Sequence, residues 1–270
     1  MPTIAVLMSV YRGTDAAELA VALQSLAVQT RPADEIVIVF DGPVSDAVED
    51  VVSAFVGTQS SARTLPLPEN VGLGRACNAG LETIETDYVA RLDSDDAARP
   101  ERFERQLAYL EAHPEVAALG TAVEEFEHEL GDGGNIRALP ENPAAYARMN
   151  SPLNHPSVMF RTAAVKAAGG YQHVPFMEDY DLWARLLAAG HELANLPEPL
   201  TFFRVNDAQL RRRATAETRK AERTMQRNLV AYGLVSRPRA MVNLVVRNLY
   251  RALPMGLTKR VYSRLFHRDG

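Results

Sequence analysis

The chain has 270 residues with a single cysteine, 47% hydrophobic and 23% charged residues, which excludes collagen-like, low-complexity and disordered classes and allows one large or two small domains. One thiol, Cys77, excludes a disulfide scaffold and a zinc ribbon and suits a reducing cytosol. The net charge of -5 conceals an asymmetry: residues 211–270 hold 15 Lys and Arg against 3 acids, whereas residues 1–210 hold 14 against 31. So acidic a body repels phosphate polymers and would need a cation to hold a nucleoside diphosphate; no nucleic-acid partner is expected, and the tail alone leaves one open. The basic tail suits an anionic surface, or else faces the acidic body.

The apolar run from Ile4 to Tyr11 has no basic region before it and no small-residue cleavage site after it, so it reads as a strand rather than a signal peptide. No stretch approaches a membrane span of about 18 apolar residues. Continuing along the chain, hydrophobic pattern predicts strands at 3–10, 35–40, 64–67, 88–92 and 116–120, and helices at 15–29, 45–55, 72–83 and 99–113. Runs such as IAVLMSV and EIVIVF are apolar almost throughout, as strands covered on both faces should be. The expected architecture is α/β, with a mainly parallel, Rossmann-like central sheet flanked by helices. Ligands of such sheets sit beyond the strand C-termini, where this chain places Ser9 and Tyr11, Asp41, Asn70 to Gly74, and Asp93 to Asp96.

RLDSDD, Arg91 to Asp96, gathers three carboxylates in four positions after a strand and before Arg99-Pro100, with Pro100 expected at the first position of a helix. Such a loop suits a divalent cation held by hard oxygen ligands, magnesium or manganese; the other reading is an acid-rich helix cap. NVGLGRACNAG, Asn70 to Gly80, fails as a dinucleotide fingerprint because Cys77 stands at the third glycine position. Arg75 and Asn78 share a face of that helix and could meet a nucleotide. In FMEDYDLWARLL, the residues Tyr180, Trp183 and Leu187 recur at helical spacing as a buried stripe. Glu178 and Asp179 open the helix, either as caps or with one of them as a general base. The tail, residues 211–270, reads as two helices broken around Ser236-Arg237-Pro238 and again near Pro254. Stripes of Leu257, Val261 and Leu265 and of Arg260, Arg264 and Arg268 give an interfacial pattern.

MSVYRG, VFDGP, ENVGLGRACNAGLE, YVARLDSDD, NHPSVMFR, GGYQ with EDYDLWARL, and LPEPLTFFRV occur in the order and spacing of glycosyltransferase family 2 over residues 3–205. The pattern resembles bacterial exopolysaccharide transferases of the amylovoran galactosyltransferase type. The resemblance implies a GT-A fold, with a catalytic domain at 1–210 and a basic helical extension at 211–270. It implies sugar transfer with inversion, from a nucleotide-sugar donor, expected to be a UDP-sugar, to a glycan or lipid-linked acceptor, assisted by Mg2+ or Mn2+. It assigns Ser9, Tyr11 and Asp41 to the donor's base and ribose, Asp93 and Asp95 to the metal with Asp93 also toward the ribose, and Asp179 to the catalytic base with Glu178 in support. His155, as a wall of the acceptor cleft or else as a buried histidine hydrogen-bonded near a strand, and Trp183 fall on the acceptor side, and Arg204 or Arg211 could meet the diphosphate. Where many relatives have a histidine, this chain has Asn206, which leaves a third protein ligand open. The implied place is the cytoplasm, peripheral on the inner face of the cytoplasmic membrane through residues 237–268. The competing functions are a sugar nucleotidylyltransferase, which should carry a Gly-rich basic loop where this chain reads MSVYRGTD, and a non-catalytic relative, which should have lost acids that this chain keeps.

Overall fold

The structure, a computed structural model, describes residues 1–127, 130–131, 134–205 and 216–251. Strands β1 (Ile4–Tyr11), β2 (Glu35–Asp41), β3 (Ala62–Pro66), β4 (Tyr88–Arg91), β5 (Ala97–Ala98), β6 (Val116–Phe126), β7 (Ile136–Arg137), β8 (Met159–Arg161) and β9 (Glu192–Arg204) form one sheet. Its order is β3-β2-β1-β4-β8-β6-β9-β5, with β7 paired to β6. The helices are α1 (Ala16–Ala27), α2 (Asp46–Thr58), α3 (Leu73–Glu82), α4 (Arg102–Ala112), α5 (Thr162–Ala167), α6 (Glu178–Ala188), α7 (Ala216–Ala231) and α8 (Arg237–Arg251).

β1 to β4 are parallel, as the unbroken apolar runs predict. Alternate residues of β1 feed opposite cores: Ile4, Val6, Met8 and Val10 pack with α1, α2 and α4, whereas Ala5 and Leu7 pack with α3 and α6. Helix α3 can lie this close to the sheet because residue 80 is glycine. A Cβ there would stand 2.4 Å from Leu7 Cδ1 and 2.8 Å from Val39 Cγ2. Asp15 starts α1 by accepting from the Ala17 and Glu18 N–H groups at 2.8 and 3.1 Å.

The second half of the sheet departs from the sequence pattern. β8 is antiparallel to β4 and β6, and β6 continues past Gly120 to Phe126 because β9 runs parallel beside it to Arg204. Glu124 and Glu125 interrupt the apolar run, yet they sit in the strand with Arg99 and Arg137 as ion-pair partners. Pro100 precedes α4, which begins at Arg102, so the expectation of Pro100 as its first residue is corrected. The Arg99 N–H bonds the Leu200 carbonyl at 3.0 Å, keeping the chain extended after β5.

A third apolar cluster joins Val174, Met177, Tyr180 and Ala184 to Ala221, Met225 and Leu229 of α7, with Val235 and Ala240 at its end. Thus α7 and α8 pack on the body. The break between the two helices spans residues 232–236, just before the expected Ser236-Arg237-Pro238, because Arg237 and Pro238 open α8; Asn206, Arg211, the 210/211 boundary, the break near Pro254 and the stripes beyond Arg251 lie outside the described residues.

Candidate active site

Because β1 to β4 are parallel, their C-terminal ends open on one edge. Tyr11 is exposed there and Ser9 is buried behind it. Asp41, at the end of β2, is buried, and its carboxylate is filled by the turn that precedes α3. Oδ1 accepts from the Val71 N–H at 2.6 Å, and Oδ2 accepts from the Gly72 N–H at 3.1 Å and Asn70 Nδ2 at 2.9 Å. Three donors on one carboxylate fix this turn to β2, so Asp41 shapes the edge whatever else it touches.

Beyond β4, Asp93, Asp95 and Asp96 each offer a carboxylate oxygen, all within 4.8 Å of one another. Arg91 lies fully buried beneath them and donates to Asp93 Oδ1 and to the carbonyls of Leu7 and Leu92. Asp96 Oδ1 accepts the Arg204 N–H at 2.8 Å, while its Oδ2 is buried without a hydrogen-bond partner. Burial, then the charge of Asp93, pushes Asp95 up to about 6; burial, then Asp95 and Asp93, pushes Asp96 well above the usual carboxylate range. An all-oxygen donor set that is short of positive charge, with one orphaned buried oxygen, fits a magnesium or manganese ion.

Arg204 does not face this site as a free diphosphate contact. Its Nε bonds the Asp95 carbonyl and pairs with Glu18, both at 3.2 Å, its Nη1 bonds the Glu127 carbonyl at 3.3 Å, and its guanidinium lies over the Phe126 ring. The expectation for Arg204 is therefore corrected: it braces the aspartate loop.

Across from the loop, Glu178 and Asp179 occupy the first turn of α6, where the helix dipole favours acids. Gly74 admits them: a Cβ on residue 74 would stand 2.9 Å from Glu178 Cβ, so only glycine lets the starts of α3 and α6 meet. Both acids feel the charge of Asp93, which makes the loop and the helix start one electrostatic unit. Burial, then Asp179, pushes Glu178 up to about 7. Burial also raises Asp179, against the opposing pull of the Tyr180 N–H and of Ser151 Oγ, which donates to Asp179 Oδ2 at 3.0 Å.

His155 is half-buried, with Nε2 2.9 Å from the Tyr171 hydroxyl. Burial, then the Arg91 charge, pushes it down to about 3, so it is neutral at working pH. Trp183 is fully buried behind His155, ring centroids 6.3 Å apart, and cannot touch an acceptor. Helical spacing identifies its stripe but not which end of the stripe reaches solvent. Asn78 is likewise corrected: Oδ1 accepts the Tyr171 N–H at 3.0 Å and Nδ2 donates to Glu82 at 2.8 Å, so its amide ties α3 to the chain before α6. Arg75 remains exposed at the start of α3. Burial pushes the Cys77 thiol up to about 11, which makes it unreactive. Arg91 and Ser151 are the site residues that sequence reading passed over. An arginine within an apolar strand was a signal for the first; nothing in the 124–152 segment marks the second.

The raised acids predict a pH dependence. Glu178, Asp95, Asp96 and Asp179 keep protons in the folded protein that the unfolded chain has released near pH 4, so stability falls as pH rises toward 7 and beyond. Neutral His155 works in the opposite direction below its ordinary value of 6.5. Without metal, Tm is therefore expected to be higher at about pH 6.5 than at about pH 8, and manganese should restore most of the loss at pH 8. Differential scanning fluorimetry with chelator and with manganese measures both; equal Tm values without metal would refute the assignment of raised acids.

The family model for glycosyl transferase family 2 matches residues 5–167. The chain is 38% identical over 260 residues, 96% of its length and 97% of the relative's, to the amylovoran biosynthesis glycosyltransferase AmsE of Erwinia amylovora. It is 32% identical over 269 residues, 99% and 98% of the two lengths, to the UDP-Gal:alpha-D-GlcNAc-diphosphoundecaprenol beta-1,3-galactosyltransferase of Escherichia coli. Among solved structures, S. aureus TarS 1-349 in complex with UDP-GlcNAc superposes with a TM-score of 0.69 at 17% identity, covering 97% of this chain and 75% of that one. The mannosyltransferase PcManGT of Pyrobaculum calidifontis, in complex with GDP-Man and Mn2+, gives 0.67 at 15%, covering 97% and 79%. The fold is GT-A, and the chain belongs to glycosyltransferase family 2.

Proposed function

We propose that this enzyme moves a sugar from a UDP-sugar to a hydroxyl of a lipid-linked glycan in bacterial polysaccharide synthesis, with inversion at the anomeric carbon. The observation that supports it most is the cluster of Asp93, Asp95 and Asp96 at the open sheet edge, with the Glu178–Asp179 pair near enough for both acids to feel the Asp93 charge. Asp95 and Asp93 would hold the magnesium or manganese ion, which when bound supplies positive charge to the departing diphosphate. Asp93 has one oxygen on Arg91, which leaves the other toward the ribose or the ion's waters. Asp179 takes the acceptor hydroxyl's proton as that oxygen attacks the anomeric carbon from the face opposite the diphosphate. The old carbon–oxygen bond breaks with its electron pair on the diphosphate, and no protein nucleophile is needed. Ser151 favours the ionised form of Asp179, Glu178 supports it, neutral His155 lines the acceptor side, and exposed Arg75 is placed to meet the donor.

The choice of UDP and of a lipid diphosphate acceptor follows the name of the Escherichia coli relative and the UDP-GlcNAc bound by the TarS structure. A panel of nucleotide sugars tests it. Manganese-dependent hydrolysis of a UDP-sugar, lost with chelator, is expected; release of pyrophosphate from UTP and a sugar phosphate would instead indicate a nucleotidylyltransferase.

A lipid-linked acceptor calls for a membrane surface, which we place at the inner face of the cytoplasmic membrane. No helix among the described residues is long and apolar enough to cross a membrane. Instead, α8 turns Met241, Val242, Val245, Val246 and Leu249 outward, and its sequence holds four arginines and no acid. Weak binding to vesicles containing anionic lipid, falling with salt, is expected. Val245→Ser with Leu249→Ser should reduce it in a sedimentation assay; unchanged binding would remove α8 from the contact.

A further inference from the structure

Helix α8 departs from an ordinary surface helix: Met241, Val242, Val245, Val246 and Leu249 face outward, while Asn243 is buried beside Ala240 and Arg247 is turned toward the body. These two inward groups meet the chain between the short 3-10 turn at Tyr146–Arg148 and Ser151. Three consecutive carbonyls are taken there by side chains. Ala147 O accepts from the Tyr180 hydroxyl at 2.6 Å, Arg148 O from Asn243 Nδ2 at 2.8 Å, and Met149 O from Arg247 Nη1 at 2.7 Å. Arg247 also donates to Asn150 Oδ1. The next residue is Ser151, whose hydroxyl reaches Asp179. That hydroxyl has one proton and two acceptors in range, Asp179 Oδ2 at 3.0 Å and the Leu153 carbonyl at 3.4 Å, and the nearer, charged acceptor wins.

Helix α7 stands behind α8. Buried Glu222 pairs with Arg247 Nε at 2.7 Å and accepts from Gln226 Nε2 at 3.2 Å, while Gln226 Oε1 accepts from Asn243 Nδ2 at 3.0 Å. Glu222, Gln226, Asn243 and Arg247 thus form one network whose donors end on the 148–150 backbone and side chain. A buried ion pair is weak evidence for stability but fixes geometry well, because each partner has few alternatives.

We propose that Asn243 and Arg247 are positioning residues for the sugar transfer: they hold residues 148–150, and with them Ser151, against Asp179, which makes the C-terminal helices part of the catalytic apparatus. This rests on the reading of Asp179 as the base. The groups facing Asp179 are Ser151, its neighbour Glu178, Asp93 from the aspartate loop, Tyr171 from the chain before α6 and the Tyr180 N–H. Of these, Ser151 adjoins the segment that Asn243 and Arg247 hold by hydrogen bonds, whereas the Tyr180 N–H is fixed by its own helix, its ring lying in one apolar cluster with Ala240 of α8. Freeing the segment should therefore act as removal of the serine hydroxyl does, by loosening a bond that favours the ionised carboxylate.

The test uses the full chain with carbon-13 carboxyl labelling, so that Asp179 is titrated by NMR without any substrate. Arg247→Gln alone would strand the buried Glu222 charge, so the main variant is Glu222→Gln with Arg247→Gln, which removes both charges together. Asn243→Leu provides a second, uncharged route. Ser151→Ala and each of these variants are expected to raise the Asp179 titration midpoint by about half a unit or more, and each variant should add little once Ser151 is already alanine. Arg247→Lys should recover part of the shift. UDP binding with manganese, measured by calorimetry, should stay within about twofold, since that site is built from β1, β2 and β4. If Ser151→Ala raises the midpoint but folded Glu222→Gln/Arg247→Gln and Asn243→Leu do not, the positioning role is overturned while the base stands. Full addition of the shifts also overturns it. If Asp179→Asn retains its turnover, the base reading falls and the proposal falls with it.

Discussion

Asp95→Asn is expected to lower transfer by roughly 100- to 1,000-fold and to remove the manganese dependence of UDP binding, because an amide brings no charge to the cation. The same change should stabilise the metal-free protein near pH 8. Asp95 is pushed up to about 6 by burial and by Asp93, so its charge at that pH is held against a cost, and its loss also relieves Asp96. A variant with a higher Tm than the parent, no activity and no metal-dependent UDP binding would separate chemistry from folding. Full manganese-dependent affinity by calorimetry would end the metal assignment. Asp96→Asn should behave differently, since Asp96 also accepts the Arg204 N–H and anchors the last strand to the loop.

The second large effect is expected at Asp179. Changing it to Asn should leave UDP binding nearly intact and cut turnover by roughly 100- to 10,000-fold, the range for loss of a general base. The replacement amide oxygen can still accept from Ser151 Oγ, so the local fold should hold. A base must be ionised to act. With its carboxyl raised by burial, the acid limb of the parent's pH–rate profile should lie above the ordinary carboxylate range, with rate falling as pH drops through it. Glu178→Gln distinguishes the pair: Glu178 is the acid that burial and the Asp179 charge push up to about 7, so it is largely neutral while Asp179 titrates, and its loss should leave that limb in place while turnover survives. If Glu178→Gln is instead the more damaging change, the two acids exchange roles. An equal loss of UDP affinity in Asp179→Asn would place Asp179 in donor binding.

What could be read from the amino-acid order follows from how locally each feature is specified. β1 and β2 declare themselves because both faces are covered, leaving an apolar run with no alternation to misread. β9 hides because Pro197 and Pro199 punctuate it and its register against β6 shifts around Ala122, so neither periodicity nor propensity marks it. Asp93, Asp95 and Asp96 stand together in sequence, and so do Glu178 and Asp179; the chemistry of each group is visible before its position is known. Their supports are not adjacent. Arg204 reaches Asp96 across more than one hundred positions, Ser151 reaches Asp179 across twenty-eight, and no local pattern encodes either meeting. Trp183 and Asn78 show the converse error, in which residue type suggested a contact that burial and protein partners had already claimed.

The place of β9 has a consequence for biosynthesis. It lies between β6 and β5 in the sheet, yet among the described strands it is the last to leave the ribosome. A nascent chain can assemble β1 to β4 from near neighbours, but β6 then presents an open edge until residues 192–204 arrive to pair with it. Until that moment the aspartate loop also lacks the backbone donor from Arg204. Pairing of this edge and bracing of the acidic site are therefore a single late event, and chains that stall before it carry both an unpaired strand and an aspartate loop held only by Arg91 and its other early partners.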